Sequence, residues 1–479
     1  VVDQPGHRHP GGSGPGLRMT PEDAVLSTAG HVLDAGDIMT DPDILRTYSV
    51  DRSIGAAVGE PFAAVFPRTV EQVSAILASA HSQRVPVVPR GAGSGLTGGS
   101  NAIDGSLIVC LERMRDVRRV DVTNGYVETE PGIFNTELRE HVARHGLWYA
   151  PDPASKDYCS IGGNVNTNAG GLCCVKYGVT RDAVLGLEVV LADGRITRVG
   201  RRTVKGVAGY DLAGLFVGSE GTLGIVTMAR LRLRPIPPRA ITAVALFDSV
   251  SDAGRAVESI MVAATPSMLE LLDRTTMRAV EEWRPCGLPV DAGAMLIAQS
   301  DLPGESGIAE AEMVLRACEA AGATEAYRAE DAEQSELLLG ARRMAIVALE
   351  AKGDWLLDDV ALPRSALAEA VTEIESIAER RDVLIGTFGH AGDGNLHPTI
   401  VTPRGDVDAA ARAMLAFDDI LAVALRHGGT VTGEHGIGLL KRRALADELD
   451  EVARDLHTTV KQALDPRGIL NPGKSLPLW

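Results

Sequence analysis

Residues 85–99 read Val-Pro-Val-Val-Pro-Arg-Gly-Ala-Gly-Ser-Gly-Leu-Thr-Gly-Gly. The apolar start predicts a strand, and the rest a glycine-rich loop. Glycine lets a backbone turn sharply and come close to a ligand. Successive amide N–H groups can then face one anion, which suits a pyrophosphate. No Gly-Lys-Ser/Thr closes the loop, so it is not a P-loop. No helix and acidic residue follow at the spacing of the usual dinucleotide fingerprint. Upstream, residues 70–83 (VEQVSAILASAHSQ) have helical spacing. Downstream, residues 106–111, 125–132 and 186–196 read as strands, and residues 137–146 as a helix ending at Gly146.

Two further small-residue clusters follow. One is Pro151-Asp152-Pro153 with residues 161–171 (IGGNVNTNAGG), and the other is residues 218–225 (GSEGTLGI). Together the three loops point to close backbone approaches to something extended and flat. Tight packing at sheet ends is the other reading of such loops.

Composition narrows the classes. A chain of 479 residues is too long for one ordinary domain. With 45% hydrophobic residues it can fill a large core. A net charge of −17 argues against nucleic acid or an anionic membrane surface as the main partner. The six cysteines show no CxxC spacing, which argues against an iron–sulfur site or a disulfide framework and fits a reducing cytoplasm. No run approaches the roughly 18 apolar residues of a membrane span, and peripheral attachment to a membrane stays open. Residues 1–18 are Gly/Pro-rich and lack the apolar core of a signal peptide. They read as a tag or disordered extension ahead of Met19, and His7 and His9 there carry little weight.

A strand over residues 223–235 stops at Pro235, and PIPPR (235–239) reads as a boundary. Beyond it, amphipathic helices (250–264, 307–322, 366–381) alternate with strands (294–300, 382–390) in an α+β pattern. A single helical segment is expected over 446–465. The expected organisation is an extension (1–18), a first domain (19–237), a second (238–440), and a closing segment (441–479) returning to the first.

The densest chemistry lies in residues 389–397 (GHAGDGNLH) and 432–438 (TGEHGIG). A Gly-Asp-Gly turn can fold two strands together and bring His390 and His397 to one point. Glu434 can add a carboxylate. Two imidazoles and a carboxylate leave coordination positions open, as catalytic zinc sites do, and also suit Mn2+ or Fe2+. Taken singly, each histidine could be an ordinary polar turn residue.

The motifs PRGAGSGLTGG, PDPASKDYCSIGGNVNTNAGG, KYGVTRDAVLGLEVVLADGR and GSEGTLGIVT together resemble the FAD domain of vanillyl-alcohol oxidase-type flavoproteins. The C-terminal half resembles the glycolate oxidase, D-lactate dehydrogenase and D-2-hydroxyglutarate dehydrogenase branch, and the likeness spans about residues 45–474. The resemblance implies two α+β subdomains clasping FAD plus an α+β cap domain. It places the pyrophosphate on Arg90, Gly91, Ala92, Gly93, Ser94 and Gly95. Pro151, Asp152, Gly162, Gly163, Asn166 and Gly171 would line the flavin and ribityl region. Gly221 and Ile225 would contact the dinucleotide, and Asn471 would lie near the flavin. Residues 89–100 contain no histidine or cysteine, so FAD is expected to be non-covalent, with Cys159 and Cys173 as the reservation.

The resemblance further implies metal ligation by His390, His397 and Glu434, and a general-base role for His435. A metal on the substrate hydroxyl lowers its pKa. A neutral imidazole, with an ordinary pKa of about 6.5, can take the proton. FAD N5 then takes the hydride, which requires the cap to pack over the FAD domain. Arg342 aligns with the family's carboxylate-binding arginine, and its fork suits a carboxylate. Relatives acting on hydroxyglutarate carry a threonine four residues later and a lysine fifteen later. This chain has Ile346 and Leu357 there, which favours D-lactate, glycolate or an aliphatic D-2-hydroxy acid over D-2-hydroxyglutarate. The electron acceptor stays open among a quinone, an electron-transfer flavoprotein, a cytochrome and oxygen, as does monomer versus homodimer. A metal-dependent hydrolase would leave the glycine loops unexplained, and a passive electron carrier would leave the histidines unexplained. A flavin synthase resembling alkyl-dihydroxyacetonephosphate synthase would need different cap chemistry.

Overall fold

The computed structural model describes residues 19–476, so the expected extension with His7 and His9 lies outside the described residues. The segment that opens the first glycine loop forms the strand Val87–Arg90. It pairs in parallel with Leu107–Cys110, which pairs in parallel with Ala63–Val65. The preceding helix is Val70–Gln83. Thr69 and Gln72 form a capping box at its start, and Arg84, in the left-handed region, ends it. Its inward face, Val73, Ile76, Leu77 and Ala80, packs on this sheet.

A second, antiparallel sheet runs in the order Val117–Asp121, Tyr126–Thr129, Ile225–Arg232, Val184–Val190, Ile196–Gly200. The stretch expected as one strand over 186–196 is therefore most of a strand plus the turn of a hairpin. The first strand pairs with Ile196–Gly200. Residues 161–167, expected as loop, form the helix Ile161–Thr167, because Ser160 Oγ accepts the Gly163 N–H as an N-cap.

From Ile241 the chain builds an eight-stranded sheet. Both faces are covered. Ala243, Ala245, Leu271 and Leu396 face one helical layer, and Val244, Leu272, Phe388 and Val401 face the other. That explains why its central strands are nearly continuous apolar runs despite being antiparallel.

The helix expected over 446–465 is two helices, Arg442–Glu448 and Glu451–Leu464. Leu449 is extended, and Asp450 caps the second helix through the Ala453 N–H. The closing segment then returns to the first sheet. Val87 donates to Ile469 O at 2.8 Å, and Asn471 donates to Val87 O at 2.8 Å. No helix among the described residues is long and apolar enough to cross a membrane.

Candidate active site

A long cavity runs between the sheets and ends at the cap. Arg90, Gly91, Ala92, Gly93, Ser94 and Gly95 line one stretch of it, and Gly162, Gly163, Asn166, Gly221 and Ile225 another. Glu434 and His435 line it as well. Among the described residues, the amides of Gly93, Ser94 and Gly95 donate no hydrogen bond, which leaves them for an anion. At Gly91 a Cβ would fall 2.4 Å from Ser160 Oγ, so the loop's close approach needs glycine. These features fit a dinucleotide.

Four of the residues expected on this wall are not on it. Pro151, Asp152, Gly171 and Asn471 stand behind. Asp152 accepts the Cys173 N–H at 3.1 Å. Gly171 has φ +145, and a Cβ there would lie 2.5 Å from the Asp152 carbonyl. Asn471 Nδ2 donates to Gly99 O (2.9 Å) and Glu220 O (2.8 Å), clamping the first loop to the third. Part of the small-residue signal is therefore protein packing. The cavity lining includes no cysteine. Cys159 is buried against Asn164, and Cys173 faces Asp152. Denaturation is thus expected to release intact FAD, leaving a colourless precipitate. Yellow colour that stays with acid-precipitated protein would show a covalent link.

The histidines come together through strand register. Leu384–His390 and Asn395–Thr402 pair antiparallel with Phe388 opposite His397 and His390 opposite Asn395. His390 and His397 are therefore diagonal neighbours on one face, with ring centroids 5.1 Å apart. Glu434 Oε1 lies 3.4 Å from His390 Nε2 and 3.3 Å from His397 Nε2. Tetrahedral ligands at about 2.0–2.1 Å from one cation would sit about 3.4 Å apart, so this donor set fits. A Cβ on Gly170 would fall 2.4 Å from Glu434 Oε2, so that glycine leaves room for the carboxylate.

Burial pushes the His397 pKa down to about 4, helped by His435 and opposed by the hydrogen bond with Glu434. At His390 burial opposes the charge, but Glu270 and Glu434 outweigh it and raise the pKa well above the usual value. Burial also works against ionised Glu434, yet His390 and hydrogen bonds from both imidazoles hold its pKa well below the carboxylate range. The cluster is thus a buried carboxylate that attracts a cation, whether a proton or a metal.

His435 stacks on His397 with centroids 5.0 Å apart and an interplanar angle of 9°. Its place is fixed by Asp359, which the sequence reading missed. One oxygen, Asp359 Oδ2, accepts the N–H groups of Gly433 (2.9 Å), Glu434 (3.0 Å) and His435 (2.9 Å), and the Thr432 hydroxyl (2.8 Å). Its Oδ1 accepts Asn395 Nδ2 at 2.7 Å. Asp359, His397 and His435 also form a cluster of possible metal ligands, but these hydrogen bonds already occupy the Asp359 carboxylate. Glu220, also missed, reaches from the third loop to the Ile437 and Gly438 N–H groups. Leu439 N donates to Thr97 O at 2.7 Å. These bonds lay the 434–440 segment against the first glycine loop, which puts His435 on the cavity.

Arg342 is buried beside this cluster, with Nε 2.6 Å from Glu270 Oε2 and its guanidinium 4.7 Å over the Phe388 ring. Neither Nη donates a hydrogen bond among the described residues. Ile346 lines the cavity; Leu357 does not, but packs in the neighbouring apolar cluster. Lys352 pairs with Glu282 and Arg343 with Glu336.

A cavity lined by glycine-bearing loops meets a buried imidazole–carboxylate cluster at Glu434 and His435. Residues 61–200 match the family described as "FAD binding domain", and residues 236–475 match "FAD linked oxidases, C-terminal domain". The chain belongs to the FAD-linked oxidases, with glycolate oxidase subunits and D-lactate dehydrogenases among its relatives. It is 42% identical to the glycolate oxidase subunit GlcD of Bacillus subtilis, over 86% of this chain and 88% of that one. It is 36% identical to a probable mitochondrial D-lactate dehydrogenase of Danio rerio, over 89% of each chain. Among solved structures, p-cresol methylhydroxylase shares the fold, with TM-score 0.80 at 18% identity over 97% of this chain and 98% of that one. The chain is an FAD-dependent dehydrogenase of hydroxy acids.

Proposed function

We propose that the chain oxidises a short aliphatic D-2-hydroxy acid, with D-lactate and glycolate as the leading candidates, to the 2-oxo acid. In this reading His390, His397 and Glu434 hold a divalent cation, Zn2+ first, and His435 is the base. When bound, FAD supplies the two-electron acceptor and the cation acidifies the substrate hydroxyl. The carrying observation is that Glu434 Oε1 lies at ligand spacing from two imidazoles while the next residue, His435, faces the flavin cavity.

Arg342 binds the substrate carboxylate through its Nη groups. His435 takes the hydroxyl proton, and its stacking on His397 holds the ring beside the cation ligands. A hydrolase reading leaves the dinucleotide cavity idle, and a passive carrier leaves the buried cluster idle. The direct test is anaerobic addition of D-lactate or glycolate, which bleaches the flavin band near ~450 nm if FAD serves as the two-electron acceptor. A flavin that stays oxidised with every 2-hydroxy acid tried rules the reading out.

Substrate choice follows from the pocket wall. Ile346 is apolar, and Lys352 and Arg343 are paired elsewhere. Against Ile346 a second carboxylate would lose water without gaining a polar contact from that side chain, which costs several kcal/mol. D-lactate or D-2-hydroxybutyrate is therefore expected to exceed D-2-hydroxyglutarate in kcat/KM by about tenfold for each ~1.4 kcal/mol of discrimination. Side-by-side kinetics decide. A preference for hydroxyglutarate would assign a different role to the wall at Ile346.

A further inference from the structure

Glu270 is a fully buried acid in the middle of the strand Met268–Asp273. It shares the strand face of Met268 and Leu272, which pack toward the helices that carry Arg342 and Ile346. Leu272 pairs with Phe388 in the adjacent strand, which brings Glu270 opposite the end of that strand at His390. Its two oxygens are used separately. Oε1 lies 2.7 Å from His390 Nδ1, and Oε2 lies 2.6 Å from Arg342 Nε.

An ionised carboxylate can only accept hydrogen bonds. His390 must then keep its proton on Nδ1, so that a cation displaces only the proton on Nε2, the nitrogen 3.4 Å from Glu434 Oε1, and takes its lone pair. The same carboxylate holds Arg342 by Nε, which leaves the Nη pair without a hydrogen bond among the described residues. We propose that Glu270 is a positioning residue for the oxidation: one buried carboxylate sets both the cation-ligating tautomer of His390 and the pose of the carboxylate-binding Arg342. The inference rests on the functional reading above.

The consequence is that cation affinity and substrate affinity are linked through a residue that touches neither. A side chain serving only as a buried ion pair would not link them. Glutamine has the same shape but one acceptor. With its amide NH2 toward His390 it favours the tautomer with the proton on Nε2, which cannot ligate. With NH2 toward Arg342, two donors oppose each other and the guanidinium shifts.

The experiment uses FAD-loaded protein. In competition with a chromophoric chelator, Glu270→Gln is expected to bind Zn2+ about 10–100-fold more weakly, the usual effect of losing a ligand's orienting partner. The KM for D-lactate is expected to rise about tenfold or more, as for a lost hydrogen bond to a charged group. FAD stoichiometry stays at the wild-type value. Wild-type values of both constants overturn the proposal.

If Glu270→Gln fails to fold because Arg342 is left buried and unpaired, Glu270→Leu/Arg342→Met removes both charges and keeps the volume filled. Zn2+ binding about 10–100-fold weaker in this double variant supports the tautomer role. Wild-type Zn2+ affinity overturns it. A wild-type protein that binds no Zn2+ sinks the functional reading itself. Wild-type Zn2+ affinity together with a wild-type KM in Glu270→Gln, in a protein that binds Zn2+, sinks this inference alone.

Discussion

His435→Ala slows anaerobic flavin reduction by a factor on the order of 10²–10⁴, the range expected for loss of a general base. FAD is expected to stay bound, because the glycine-loop residues that line the cavity are unchanged. Metal content also survives. The proposed ligands His390, His397 and Glu434 meet without His435, whose Nε2 stands 3.7 Å from Glu434 Oε1. The backbone of the 432–436 turn keeps its anchor, since Asp359 Oδ2 accepts main-chain N–H groups that alanine retains. Rapid-mixing reduction with D-lactate and elemental analysis of the same preparation give both readouts. Loss of the metal, with normal flavin reduction once it is restored, would make His435 a ligand and return the base role to another group.

Chelation is expected to abolish turnover and to leave the flavin spectrum of bound FAD in place. The two sites are built from different parts of the chain. The free amides proposed for the dinucleotide belong to residues 93–95, and the proposed cation ligands are residues 390, 397 and 434. Without a cation, the buried Glu434 carboxylate keeps His390 protonated, since Glu270 and Glu434 together overcome the burial that opposes its charge. A protonated ring has no lone pair to ligate, and nothing then acidifies the substrate hydroxyl. Readdition of Zn2+ or Mn2+ restores turnover. Full activity in protein shown metal-free by elemental analysis would end the metal reading, while the FAD-linked chemistry would stand.

Much of the site could be read along the chain because its parts are local. A loop such as residues 89–99 declares itself by glycines that need neighbouring backbone freedom. His390 and His397 declare themselves by a Gly-Asp-Gly turn that fixes their spacing. Helix limits were legible where a cap is adjacent, as at Thr69 and Gln72. They were misread where a cap interrupts a favourable run, as Asp450 does within 446–465.

Glu270, Asp359 and Glu220 escaped notice for a different reason. Each is an acid whose partners lie far away in the chain. Glu270 meets His390, 120 residues on, and Glu220 meets Ile437, 217 residues on. A signal existed in two cases. Glu270 interrupts the apolar run of Met268–Asp273 on a parity that faces the core, and Asp358-Asp359 interrupts a similar run. A charge in such a place costs several kcal/mol unless it is paired, so it predicts a partner but not which one.

The resemblance supplied the class of cofactor and the apolar exchange at Ile346 and Leu357, while the residues by themselves determined the three glycine-bearing loops and the cation-ligand candidates. Those features depend on residue type and short spacing. Only the tertiary structure decided which small residues face the cavity and which, like Gly171, merely pack. It also decided that Arg342 and His390 share one carboxylate, and that the 434–440 segment lies against the first loop. Strand register and the packing of cap on FAD domain set those relations, and both arise from long-range burial that no local pattern encodes.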